Sequence, residues 1–228
     1  MNSVVSEKKF IQERLGIPYE NLSQSYLRAE TQLSNLSTYN FYLQRGQVAN
    51  PLVTEQLLEL NDQFVITHFR ISLRWIDPAT TGVPTATEQL NAQQYLYADP
   101  TKFTSTSANA ASVYNGNLSF IIDRKQFLPA FPTNAFYRVP TTQTNAFLAT
   151  AGTTGTPAAT FTGNTGVNGY ENGLFGFYVS EPTLIDGRQT LDITLNLGAS
   201  VSIATIGTDP MVYATFETRG YLVVNSKS

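Results

Sequence analysis

Cysteine is absent from this 228-residue chain, and histidine occurs once, at position 68. The first absence excludes disulfides, thiolate metal sites and cysteine nucleophiles. The second excludes any catalytic or metal scheme that needs two imidazoles. Charge is also scarce. Asp, Glu, Lys and Arg make up 14 % of the chain, against about a quarter in ordinary soluble proteins, so much of the surface is expected to be covered by partners. A net charge of −3 and a pI near 5.2 oppose broad nucleic-acid binding, which needs a surplus of Lys and Arg on one face. No run approaches the roughly 20 apolar residues of a membrane span. The opening MNSVVSEKKFIQERLG lacks the apolar core of a signal peptide, so folding in a cytoplasm is expected. There is no GxxxxGK[ST] or GxGxxG phosphate cradle. Asp186-Gly187 lacks the alternating oxygen ligands of a calcium loop. No cofactor and no metal is expected.

What the chain does have is aromatic residues, 12 % of the total and dominated by Phe and Tyr, together with segments of period-two alternation. In Phe64–Trp75, strict alternation puts Val65, Thr67, Phe69, Ile71, Leu73 and Trp75 on one face and Phe64, Ile66, His68, Arg70, Ser72 and Arg74 on the other. Further strands are expected at Leu118–Arg124, Phe136–Val139, Leu174–Ser180, Gln189–Leu197 and Val212–Val224. Asp186-Gly187, Asn115-Gly116, Asn168-Gly169 and Asn172-Gly173 are turn signals. Asn50-Pro51 opens either a helical turn or a loop, and periodicity does not choose between them. Long loops fall at about residues 77–117 and 140–173. The second runs TTQTNAFLATAGTTGTPAATFTGNTGVNGYENG with one charged side chain, Glu171. It is too polar to form a core and too uncharged for a solvated tail, which points to packing against another copy of the chain.

Residues 1–30 are the most charged stretch, with Glu7, Lys8, Lys9, Glu13, Arg14, Glu20, Arg28 and Glu30. Ser6 is expected to cap a short helix carrying Phe10, Ile11 and Leu15 on one side, with Gly16 and Pro18 as its stop. Residues 1–38 are therefore expected to be an N-terminal arm, and residues 39–228 the body. About eight strands joined by long loops predict an all-β fold, a jelly-roll-like Greek-key β-sandwich. No fixed-period repeat points to a propeller or solenoid.

Candidate sites divide into contact residues and weak catalytic ones. The stripe His68, Arg70, Arg74 suits an anion or acidic groups of a neighbouring subunit. Tyr95, Tyr97, Tyr114, Phe161 and Tyr170 lie in the polar loops, where such rings serve either as subunit anchors or as sugar-stacking platforms. Arg124, Lys125 and Arg138 read as ordinary surface cations. Glu55 with Glu59, or Asp62 with Asp77, satisfy the composition of a glycosidase acid pair without establishing its geometry; Asp99 and Glu171 belong to the same group. The Asn-Leu-Ser tripeptides at 21, 35 and 117 match a glycosylation pattern that an Asn- and Ser-rich chain meets by chance.

At LLELNDQFVITHFRISLRW and FYVSEPTLIDGRQTLDITLNL the chain resembles virion structural proteins of bacterial viruses. The resemblance rests on a strand entered through Leu-Asn-Asp, on a proline-turn-glycine lead into an alternating strand, and on composition. It covers at most a third of the chain. It implies a capsid or capsid-associated, non-enzymatic subunit that is made in the host cytoplasm and works by contact with copies of itself and other virion proteins. A carbohydrate-binding or adhesion module is the alternative.

Overall fold

The computed structural model describes residues 2–76, 84–97, 110–137, 149–150, 158–159, 177–198 and 211–224. Strand is the main secondary structure of the described residues, and the sheets are antiparallel. A first helix, α1 (Asn2–Leu15), ends at Gly16, whose φ of 69° and N–H bond to the Gln12 carbonyl (2.9 Å) make the usual left-handed glycine stop. The helix starts at Asn2, so Ser6 lies inside it and does not cap it.

Three strands follow, β1 (Leu22–Gln32), β2 (Thr38–Phe41) and β3 (Gln63–Ile76). The first long connection then carries the six-residue helix α2 (Ala86–Asn91) and the two-residue strand β4 (Gln94–Tyr95). The Thr85 hydroxyl and the Glu88 side chain form a reciprocal capping box at the start of α2. Strands β5 (Asn117–Ile122) and β6 (Lys125–Pro132) form a hairpin. Its turn residues, Asp123 and Arg124, both have positive φ, which the twist of a tight hairpin favours. The chain continues through the two-residue strands β7 (Ala149–Thr150) and β8 (Ala158–Ala159), then β9 (Phe177–Asp186), β10 (Leu191–Asn196) and β11 (Met211–Val223).

One sheet has the order β1-β11-β3-β4, with β9 also paired to β3, and the other β2-β10-β5-β6. The eight longer strands taken in chain order therefore pair first with last, second with seventh, third with sixth and fourth with fifth. Each of these pairs is antiparallel. Two further antiparallel pairings, β11 with β3 and β10 with β5, complete the two four-strand layers. The inner faces pack on one another around Phe216, whose ring lies 5.9 Å from Phe41 and 6.2 Å from Phe120 of the opposite sheet. Phe69 meets Phe131 and Phe136 edge-on at 5.5 and 5.6 Å. Such pairs add about 0.5–1.5 kcal/mol each beyond the burial of their area.

Several expectations are corrected here. Residues 22–32, expected in the arm, form β1 and pair over their whole length with β11. The expected strand Phe136–Val139 begins on the last residue of a 3-10 turn, Thr133–Phe136, and residues 138 and 139 lie outside the described set. The expected strand Leu118–Arg124 ends two residues early, because Asp123 and Arg124 form the turn. The segment after Asn50-Pro51 holds no helix, only a short turn with Glu55 N–H bonded to the Leu52 carbonyl. Most of the 140–173 loop, including Phe161, Tyr170 and Glu171, is outside the described residues, as are Arg138, Asp77 and Asp99.

The alternation in β3 is broken. Opposite β11, Ile66 pairs with Gly220 and His68 with the adjacent Arg219, so Thr67 is an extra residue, a β-bulge. An inserted residue moves every later side chain to the opposite face. The inner face is therefore Phe64, Ile66, Phe69, Ile71 and Leu73, all in one core cluster, rather than a single odd- or even-numbered set. Gly220 sits where the bulge brings backbones together; a Cβ there would lie 1.7 Å from the Val65 carbonyl oxygen.

Candidate functional site

The outer face of the β1-β11-β3 sheet is covered by this chain itself. At one end lies α1, whose Ile11 packs with Leu22 of β1, Val65 of β3 and Tyr221 and Val223 of β11 in a second, smaller core. Lys8 reinforces this docking. Its ammonium donates to the Leu22 carbonyl (2.5 Å) and lies over the rings of Tyr19 and Tyr221, while the Tyr221 hydroxyl donates to Glu7 (2.8 Å).

At the other end two short segments, residues 52–56 and the α2–β4 stretch, close over a layer of charges. Arg70 is 2 % exposed and donates through Nε (3.2 Å) and Nη2 (2.7 Å) to one oxygen of Glu217, its cross-strand neighbour on β11. Gln94 of β4 spans the pair, donating to Ser72 and Glu217 while its carbonyl accepts from Arg70. Arg74, 1 % exposed, donates to Glu30 of β1, to the Thr54 hydroxyl (2.8 Å) and to the Gln89 backbone carbonyl. Arg28 forms an ion pair with Glu30 at 2.8 Å. Burial works against the charge of Arg74 and moves its pKa below the ordinary value, while Glu30 opposes that shift.

Glu55 fixes residues 52–56 to this layer. One of its carboxylate oxygens accepts from the Glu30 backbone N–H and the other from the Leu52 N–H, both at 2.8 Å. Burial raises its pKa above the ordinary 4.5, and the two N–H donors offset part of that rise. The backbones of Arg28 and Gln56 exchange both hydrogen bonds, at 2.8 and 3.0 Å. Val53 N–H donates to the Gln89 side chain (2.8 Å), which ties the two covering segments together.

The expected contact residues are thus dispersed. Arg70 and Arg74, read from the sequence as an outward stripe, are interior ion-pair partners. His68 sits half-buried at the bulge near Glu7 of α1 and Arg219, with its ring nitrogen 3.0 Å from the Thr67 hydroxyl; burial lowers its pKa. Tyr95 and Tyr114 belong to the core between the sheets, 7 % and 2 % exposed, and the Tyr114 hydroxyl donates to the Tyr95 carbonyl (2.9 Å). Burial drives the Tyr114 pKa far upward. Tyr97 packs edge-on against Tyr95 at 6.4 Å. Of the acid pairs, Glu55 is engaged as above, Glu59 is exposed, and the Asp62 carbonyl accepts from Gly187 N–H in the turn contact. Among the described residues no group of three metal-ligating side chains occurs, and no helix is long and apolar enough to cross a membrane.

Sequence reasoning missed Glu30, Glu217, Gln89 and Gln94. A signal for Glu217 was present: β11 carries Tyr213, Thr215, Glu217 and Arg219 at alternate positions, and an antiparallel partner with Arg70 and Arg74 at the same spacing invites pairing. No family model matches the chain, and comparison with curated proteins and with solved structures gives no significant match.

Proposed function

We propose that the chain is a non-enzymatic structural subunit of a bacterial-virus particle, built on a jelly roll and working by self-assembly. The carrying observation is the strand order. Eight antiparallel strands paired first to last, second to seventh, third to sixth and fourth to fifth, then wrapped into two four-strand layers, match a ribbon folded twice as in a jelly roll. That architecture serves viral shells and lectins alike. The step from fold to function is an analogy of architecture.

Two observations favour the shell over the lectin. Of the described loop aromatics nominated for sugar stacking, Tyr95 and Tyr114 are inside the core and Tyr97 packs against it, partly buried. Five charged side chains of an already charge-poor chain, Arg28, Glu30, Arg70, Arg74 and Glu217, are engaged in ion pairs within and between β1, β3 and β11, consistent with an outside left poor in charge for contact with other copies. The proposed partners are further copies and other virion proteins, in a particle assembled in the host cytoplasm. Sedimentation and electron microscopy of the purified chain test this: a defined oligomer or closed particle is expected, and a monomer at every concentration up to near-millimolar would overturn the assignment.

A further inference from the structure

Strand β1 is the long, regular edge of its sheet. Its pairing with β11 runs unbroken from Leu22 to Gln32. Residues of an antiparallel edge strand alternate between bonding inward and presenting N–H and C=O outward. Arg28 bonds outward to Gln56, whereas Leu33 N–H bonds inward to Val212. The even-numbered residues Tyr26, Arg28, Glu30 and Gln32 therefore face the edge. Residues 52–56 cover the middle of it. None of Pro51–Gln56 is fully buried, Val53 is 52 % exposed, and apolar anchoring resumes only at Leu57 and Leu58. The segment is thus held by hydrogen bonds without a core of its own, the profile of a locally opening unit, while β1 keeps its ladder to β11 when that unit leaves.

We infer that residues 52–56 are a displaceable guard, and that the strand replacing them is β1 of a second copy, paired antiparallel about a two-fold axis at Ala29. The inference rests on the self-assembly reading above. This register places Arg28 opposite Glu30 of the second copy and Glu30 opposite its Arg28, so two opposite-charge pairs form by symmetry. Arg28 N–H and C=O then exchange Gln56 for Glu30 of the second copy, reusing the same two backbone groups. Tyr26 faces Gln32 at each end, which accounts for Tyr26 standing 46 % exposed beside an open backbone. Lys8, bonded to the Leu22 carbonyl, lies beyond the paired stretch and does not obstruct it. Guard and partner occupy the same place, so the closed monomer and the edge-paired dimer exclude one another.

The test uses the full chain. In wild type, the Tyr26 amide should exchange freely with solvent in the monomer and become at least tenfold slower on association, read by hydrogen exchange. Gln56→Pro removes the N–H that the guard donates to Arg28 and should strengthen association at least tenfold in sedimentation velocity. Tyr26→Pro deletes an outward N–H that β11 does not use; it should weaken association at least tenfold with the monomer's urea midpoint unchanged. Association that leaves the Tyr26 amide open, or is indifferent to Gln56→Pro, would overturn this edge and leave the assembly reading standing. No association by wild type or Gln56→Pro at any concentration would overturn both.

Discussion

The Arg70→Ala substitution separates two descriptions of the same residue. As part of an outward stripe, Arg70 would cost no more than the ±0.5 kcal/mol typical of surface positions. In the structure it is an interior cation whose removal leaves the Glu217 carboxylate, 8 % exposed in its side chain, beneath Gln94 and without its main counter-ion. Removing one member of a buried pair costs about 3–5 kcal/mol, because the remaining charge has no water to return to. That overlaps the loss expected from Ile71→Ala on the core face, about 2–5 kcal/mol. Against a total stability of about 5–15 kcal/mol, the variant should fold but unfold at much lower denaturant. Trp75, the sole tryptophan, sits on β3 against the core and reports the transition in urea by fluorescence. Measurement belongs at concentrations where the chain is monomeric, so that assembly adds nothing to the apparent stability. The double change Arg70→Met with Glu217→Leu should recover most of the loss, since an apolar replacement of both partners removes the stranded charge. A loss below 1 kcal/mol for Arg70→Ala, or no recovery in the double variant, would refute the buried-pair reasoning.

Gly220→Ala should cost about 1–3 kcal/mol in the same urea assay, since the new methyl meets the Val65 backbone, which cannot move aside as a side chain could. Glu55 gives a pH dependence of defined sign. Its folded pKa is raised, so its contribution is fully present below the unfolded value near 4.5 and declines as pH rises through the folded value. Glu55→Gln should therefore gain stability relative to wild type between pH 4 and 7, and urea midpoints that stay parallel across that range would contradict the assignment. His68 runs the other way: its lowered folded pKa makes stability fall as pH drops below about 6.5, and His68→Asn should flatten that limb of the profile.

Alternation found the strands where one face is apolar and one polar. Leu191, Ile193 and Leu195 of β10 are buried and Asp192 and Asn196 exposed, as period two requires. The same reasoning failed on β3 because both of its faces are covered and because Thr67 is inserted; neither fact has a local signature in Val65–His68. It failed on β1 because LSQSYLRAETQ is polar enough to read as an arm. Its burial is set by β11, which lies almost two hundred residues away in the chain. The arginines were visible as a stripe, but whether such a stripe faces solvent, a neighbour or its own chain depends on what covers it. Here the covers, residues 52–56 and 84–95, lie in stretches that carry little periodic signal.

The edges of the two sheets are closed by unlike means, and the difference bears on where contact with another copy begins. Strand β6 carries Pro129 and Pro132, a positive φ at Ala130 and irregular pairing to β5; prolines and bulges make an edge a poor template for a further strand. Strand β2 is four residues long, and short edge strands offer few bonds. On the far side of the first sheet the edge is shared between two-residue β4 and β9, whose register against β3 shifts between Ile66 and His68. Only β1, among these described edges, is both long and regular, and it is closed by a segment without buried apolar anchors. A permanent closure would be expected to use proline, a bulge or a short strand, as the other described edges do. A hydrogen-bonded segment laid over the middle of an eleven-residue regular strand instead leaves the longest regular pairing surface among the described edges available at the expense of a local opening.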